Sequence, residues 1–150
     1  VGTVFCFSIQ HSYILNMYLD AATRTKVEET GGANFIFVTK DGTVVTPKSD
    51  SILPSITRRS LMYVAEHYLG LKVEHRVVYK DELKDFAECG LCGTAAVISP
   101  VGKIVDHGTE ICFPSGMEDM GPITKKLYHT LVDIQQGREE APEGWIRVIE

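Results

Sequence analysis

Residues 26–48 read KVEETGGANFIFVTKDGTVVTPK, and this stretch decides the fold. Its β-branched and aromatic runs are interrupted twice, by Gly31-Gly32 and by Asp41-Gly42. Such runs favour pleated strands, and Gly-Gly or Asp-Gly pairs favour tight reversals. With the preceding MYLD segment, the reading is strand, Gly-rich bend, strand, Asp-Gly turn, strand: a β-meander. Reversals this short allow only antiparallel neighbours.

The period changes after Lys48. In SILPSITRRSLMYVAEHYLGL, Leu61, Val64, Ala65, Tyr68 and Leu69 recur at i, i+3, i+4, i+7 and i+8, which is one face of a helix. The helix begins near Ser55 to Thr57, and Gly70 can end it. KVEHRVVYK reads as a strand, DELKDFAE as a short helical turn capped by Asp81, and GTAAVISPVGKIVDHG as strand and turn. GPITKKLYHTLVDIQQG places Ile123, Leu127, Leu131 and Ile134 on one helical face, with Pro122 where a first turn tolerates it. The tail EAPEGWIRVIE reads as an extended segment docking through Trp145 and Ile146. Interleaved helices and short-turn strands imply an α/β or α+β fold with a mixed, partly antiparallel sheet.

A chain of 150 residues with 44% apolar content suits one compact domain. The net charge of -5, with acids and bases interspersed, leaves no basic stripe for a phosphate backbone, so nucleic acid is not expected as a partner. VGTVFCFSIQHSY has no basic leader region and falls short of the ~20 apolar residues of a membrane span, so neither signal peptide nor membrane anchor is expected. The chain begins with Val, which suggests a processed or truncated piece. Cys6, Cys89, Cys92 and Cys112 do not suggest a disulfide framework, and a reducing, cytoplasmic setting is expected. A single C-x-x-C with unpaired histidines is too few ligands for structural zinc, so no metal is expected. The same pair, Cys89 and Cys92, could act as a redox couple, although the neighbouring Glu88 disfavours a thiolate.

Three loops favour an anion. LPSITRR opens a helix, so the amides near Ile56 and Thr57 point outward at the positive end of its dipole, unless Ser55 or Thr57 merely caps it. CGLCGTAAV places Gly90 and Gly93 around a turn before a strand. EETGGAN adds a Gly-rich bend preceded by Glu28 and Glu29 and followed by Asn34.

The motifs VEETGGANFIFV, TPKSDSILPSITRRSL, CGTAAVISPVG, GPITKKLY and APEGWI occur in this order. From about Tyr18 onward the chain resembles the C-terminal large domain of branched-chain amino acid aminotransferases, fold-type IV pyridoxal-phosphate enzymes. D-amino acid transaminases and aminodeoxychorismate lyases share that fold, but GTAAVISPVG and GPITKKLY look more like the branched-chain group. The resemblance implies a mixed sheet or pseudo-barrel with flanking helices, and a division into an atypical segment at 1–17 and an aminotransferase domain at 18–150. It implies transamination of leucine, isoleucine or valine with 2-oxoglutarate, pyridoxal 5′-phosphate as cofactor, and assembly of copies into a dimer. Glu29 matches the carboxylate facing the pyridine nitrogen, where it would favour the protonated ring. Gly32, Ile56, Thr57 and Thr94 match positions that hold the cofactor phosphate, and Leu53 one that packs on the ring. Thr94 and Ala95 match backbone donors near the substrate carboxylate.

The match departs in three places. The family's Schiff-base lysine lies in a segment resembling G-x-x-K-x-G-G-N-Y, upstream of the Tyr18 strand, where this chain has only Val1 to Met17 and no lysine. The small N-terminal domain, with its phosphate-binding arginine, has no counterpart either. Ser55 also stands where the family usually has glycine. The chain alone is therefore expected to be inactive, as a truncated enzyme or as a non-catalytic module that pairs with another chain.

Overall fold

The computed structural model describes residues 4–7, 14–113 and 119–149. Ten strands and two helices follow one another as β1 (Val4–Phe7), β2 (Ile14–Leu19), β3 (Val27–Thr30), β4 (Asn34–Thr39), β5 (Val44–Pro47), α1 (Ile56–His67), β6 (Val73–Arg76), β7 (Phe86–Gly93), β8 (Val97–Pro100), β9 (Lys103–Asp106), β10 (Thr109–Cys112) and α2 (Pro122–Gln135). The sheet runs β10-β9-β1-β2-β3-β4-β5-β6 and branches at β4, which also pairs with β7, as β7 does with β8. Among the described strands, only β5 and β6 pair in parallel, and α1 is the crossover between them. The fold is thus a mixed, largely antiparallel sheet with flanking helices, as the meander and the change of period imply.

β4 is buried from Asn34 to Val38 because both of its faces are covered. Phe35 and Phe37 point into one core with Val45, Cys89, Leu91 and Phe86; the Phe37 and Phe86 rings stack with centroids 4.7 Å apart. Ile36 points the other way, joining Val44, Cys92 and Ile98 beneath Leu61, Val64 and Ala65 of α1 and Leu127, Leu131 and Ile134 of α2. The helical faces expected from periodicity are therefore the faces that pack.

Helix α1 ends at His67, earlier than its apolar period. Tyr68 and Leu69 both donate to the Val64 carbonyl, and Leu71 donates to Ala65. Gly70, at φ +64°, turns the chain back to make that last bond. The segment expected as a helical turn is a 3-10 helix, Lys80–Asp85, and its cap is not Asp81. Glu82 instead accepts from the Tyr79 amide at 3.2 Å, and residues 86–88 already belong to β7. The strand reading of KVEHRVVYK holds for Val73–Arg76 alone; Val78 then accepts a hydrogen bond from the Val27 amide.

Strand and turn were expected in KIVDHG, as found in β9 and the reversal after it; the second strand of this hairpin, β10, lies beyond the sequence reading. His107 and Gly108 have φ of 47° and 86°, the paired positive values of a two-residue reversal. The tail docks through Trp145, whose ring lies 5.2 Å from that of Tyr63, while Ile146 remains about half exposed.

Candidate functional site

β3 and β4 meet at a single register pair, Glu29 opposite Asn34, so their side chains share one face. Asn34 Nδ2 donates to Glu29 Oε2 at 2.8 Å, and the Leu53 amide donates to the same oxygen at 3.3 Å. The carboxylate is held by two donors from different segments. The intervening loop is fastened by Thr30, whose hydroxyl donates to the Ala33 carbonyl at 3.1 Å and accepts from the Ala33 amide at 3.0 Å. A Cβ on Gly32 would meet nothing within 4 Å. The glycine leaves open space where a side chain could stand.

Helix α1 presents its N-terminus to the same place. Ser55 is the N-cap; its hydroxyl accepts from the Arg58 amide at 3.1 Å, and its carbonyl accepts from Arg59. The amides of Ile56 and Thr57 precede any intrahelical acceptor and point out along the dipole. Ser55 has φ -110°, ordinary extended backbone, so the serine in place of the family's glycine needs no special conformation.

These elements enclose a cleft of about 360 Å³. Glu29, Gly32, Leu53, Ile56 and Thr94 line it, as do Asn34 and Cys92. Thr57 sits one residue further into α1 and Ala95 in the turn after Thr94; neither lines the cleft. No lysine is among the lining residues. Asn34 is the functional residue that the sequence reading left without a role. The signal was present: a glutamate and an amide flank a four-residue loop, and a hairpin must place them opposite.

The cysteine pair belongs to the cores. Residues three apart in a strand point to opposite faces. Cys89 therefore enters the core with Phe35 and Phe37, and Cys92 the one beneath the helices. The two cannot reach each other within β7, which removes the redox reading. Burial also pushes the Cys92 thiol up to about 12, away from thiolate chemistry. Gly90 lies within β7, not at a turn, and packs so closely that a Cβ there would stand 2.8 Å from Ile98. Among the described residues, no group of three or more His, Cys, Asp or Glu is placed to hold a metal ion. Among the described residues, no helix is long and apolar enough to cross a membrane.

Glu88 explains how β7 is tied to α2. It is buried, and its carboxylate accepts from the Thr124 amide at 2.9 Å and the Ile123 amide at 3.3 Å. A strand residue thereby caps a helix whose own N-cap, Gly121, has no side chain to do so.

A carboxylate fixed by an amide thus shares one glycine-lined cleft with a helix N-terminus. The chain belongs to the class IV amino-transferase family, whose match spans residues 17–104. Several curated relatives and solved structures that it is similar to are branched-chain-amino-acid aminotransferases. The chain is 52% identical over 134 residues to that enzyme of Haemophilus influenzae, covering 89% of this chain and 39% of the relative. It is 51% identical over 130 residues to the one of Helicobacter pylori, covering 87% and 37%. Among solved structures it is similar to the branched-chain aminotransferase of Thermobaculum terrenum in its PLP form, at a TM-score of 0.72 and 36% identity, covering 85% of this chain and 39% of that one. The Escherichia coli enzyme superposes at a TM-score of 0.74 with 31% identity, covering 91% and 43%. The chain thus spans well under half the length of the relatives it matches.

Proposed function

We propose that the chain supplies the cofactor-binding wall of a branched-chain amino acid aminotransferase, an enzyme that exchanges an amino group between leucine, isoleucine or valine and 2-oxoglutarate. The observation that carries this reading is the Asn34-anchored Glu29 carboxylate sharing one cleft with the N-terminus of α1. Those residues suit pyridoxal 5′-phosphate: an anion at one end, amide donors at the other, and bare backbone at Gly32 between. The Ile56 and Thr57 amides and Thr94 would hold the phosphate, and Leu53, 72% exposed at the cleft's edge, would cover a ring face. Glu29 would keep the ring nitrogen protonated, with Asn34 and the Leu53 amide preventing it from swinging away. The Thr94 and Ala95 backbone would orient the substrate carboxylate. The cofactor, when bound, supplies an electron sink for negative charge developing on the amino acid's Cα.

The proton at Cα needs a base in the cleft, and none of the residues lining it is a lysine. This favours residues that are inactive on their own and take that base from elsewhere; a cytoplasmic, dimeric enzyme is what the family resemblance implies. It also supports the second reading, a non-catalytic assembly module. Absorbance titration with pyridoxal phosphate tests the proposal. Binding is expected to be reversible and competed by inorganic phosphate, with no glutamate formed from leucine and 2-oxoglutarate. Gly32→Ala should weaken binding about tenfold, equivalent to about 1.4 kcal/mol, without changing thermal stability. Failure to bind, or unaltered binding by Gly32→Ala, contradicts the proposed site.

A further inference from the structure

Among the described residues, Arg24, Val97 and His107 have positive φ without being glycine, at 57°, 59° and 47°. Arg24 and His107 are exposed residues of surface turns. Val97 differs from both. It is half-buried, and it is β-branched, the side-chain type that the left-handed region crowds most. A residue persists there only where its surroundings over-determine it.

Its place in the fold shows what the surroundings hold. Val97 opens β8 and pairs with Gly93, the last residue of β7, so the two close the reversal Thr94-Ala95-Ala96. All three residues of that reversal are exposed, so it is held from its ends. Gly93 has no side chain to contribute; its backbone runs beside the Gly32 loop, where an added Cβ would stand 3.7 Å from the Gly32 carbonyl oxygen. Val97 therefore supplies the side chain that ties the reversal to the interior. It packs against the core that contains Ile36, Cys92 and Leu127, beneath the two helices. Thr94, at the other end of the reversal, lines the cleft with Glu29, Gly32 and Ile56. A glycine at position 97 would accept φ 59° freely but would leave the reversal without this tether.

We propose that Val97 is a positioning residue for the cofactor cleft: its packing on the helix core holds the left-handed conformation that fixes the β7–β8 reversal, and so keeps Thr94 in place for the phosphate of pyridoxal phosphate. The proposal rests on the reading of this cleft as the site of that cofactor. Val97 is not among the residues lining the cleft and acts through the reversal alone.

Three variants separate the packing from the backbone. Val97→Ala loses most of the packing and still disfavours positive φ, so the reversal relaxes and a ligand must restore it on binding. Its affinity should fall by about tenfold, the size of the left-handed penalty of a residue with a Cβ. Val97→Gly loses the packing but not the access to positive φ, and should bind with an affinity between those of Val97→Ala and wild type. Val97→Ile keeps both the branch and the packing and should bind within about threefold of wild type.

Affinity is measured by absorbance titration with pyridoxal phosphate, below the unfolding transition of every variant. The phosphorus NMR shift of the bound ligand is recorded with it, and in Val97→Ala it should move toward that of the free ligand. Lost core packing alone would lower the urea midpoints of Val97→Ala and Val97→Gly and leave both affinity and phosphorus shift unchanged. The backbone is read without ligand: at φ 59° the amide proton and Hα are eclipsed, so Val97 should show a strong intraresidue Overhauser effect between them.

A weak Overhauser effect at Val97, or an affinity of Val97→Gly below that of Val97→Ala, would overturn the proposal. Wild-type binding that all three variants share overturns this proposal alone. Failure of the wild-type chain to bind pyridoxal phosphate overturns the function on which it rests.

Discussion

Replacing Gly121 with alanine should destabilise the protein even though its backbone, at φ -60° and ψ 154°, suits alanine well. The added Cβ would stand 2.0 Å from Glu88 Oε1 and 2.3 and 2.4 Å from its Cδ and Cγ, distances no relaxation of the glycine alone can open. Glu88 must leave, and with it the bonds of 2.9 and 3.3 Å to the Thr124 and Ile123 amides. A hydrogen bond to a charged group contributes about 1.5–3 kcal/mol, and the longer bond counts for less. Loss of a carboxylate at a helix N-terminus adds about 0.3–1 kcal/mol, and the reduced freedom of the unfolded alanine chain returns about 0.4–1 kcal/mol. The net expectation is a loss of about 2–4 kcal/mol, read as a fall in the urea midpoint at unchanged slope. In a Glu88→Ala background the obstacle is gone, so the same Gly121→Ala change should cost less than about 0.5 kcal/mol. A Gly121→Ala protein as stable as wild type, or a loss that adds fully to that of Glu88→Ala, would refute the reasoning.

Three further outcomes follow from other sites. In the native protein Cys112 should react with a thiol reagent while Cys89 and Cys92, both buried, react only on unfolding, and mass analysis of the labelled peptides distinguishes them. Because the Cys92 thiol lies near 12 in the fold and near 9.0 otherwise, the unfolded chain loses its proton first; stability should fall between those values by up to about 1.4 kcal/mol per pH unit, a slope absent in Cys92→Ala. Asp20 accepts from the Lys26, Thr23 and Thr25 amides and from the Thr23 hydroxyl, which hold its carboxyl well below its ordinary 3.8. Its contribution is therefore complete above that value and lost as pH falls below it, so Asp20→Asn should be less stable than wild type at neutral pH and converge with it in acid. The Thr124 hydroxyl is buried without a hydrogen-bond partner among the described residues, and Thr124→Val should be neutral or stabilising by about 1 kcal/mol in thermal denaturation.

How far the sequence could be read depended on whether a feature is set by neighbours along the chain or across it. The β3-β4-β5 meander was legible because alternation and reversal residues are local, and α1 and α2 because an apolar stripe marks a helix and its buried face together. The C-x-x-C pair misled because its meaning depends on secondary structure: three residues apart bring thiols together in a turn or helix but place them on opposite faces of β7. Glu88 reads as a surface acid in sequence. Its role depends on a helix that begins at Pro122, and no local pattern announces that pairing. The turn at His107-Gly108 was read, but the four-residue strand after it, β10, offers too little alternation to mark it in the sequence. Of the residues that the family resemblance points to, Glu29, Gly32, Leu53, Ile56 and Thr94 line one cleft, while Thr57 and Ala95 do not. Asn34 was not assigned a role, although Glu29 and Asn34 flank a loop that a hairpin closes; its hydrogen bond to Glu29 is a cross-strand contact.

We propose that these residues offer pyridoxal phosphate a cleft with no lysine in its lining. Incubation with pyridoxal phosphate, reduction with borohydride and mass analysis of peptides tests it most directly. The account predicts reversible binding that phosphate displaces and no pyridoxyl group concentrated on any one lysine. Stoichiometric pyridoxylation of a single lysine, accompanied by leucine-dependent formation of glutamate, would contradict it.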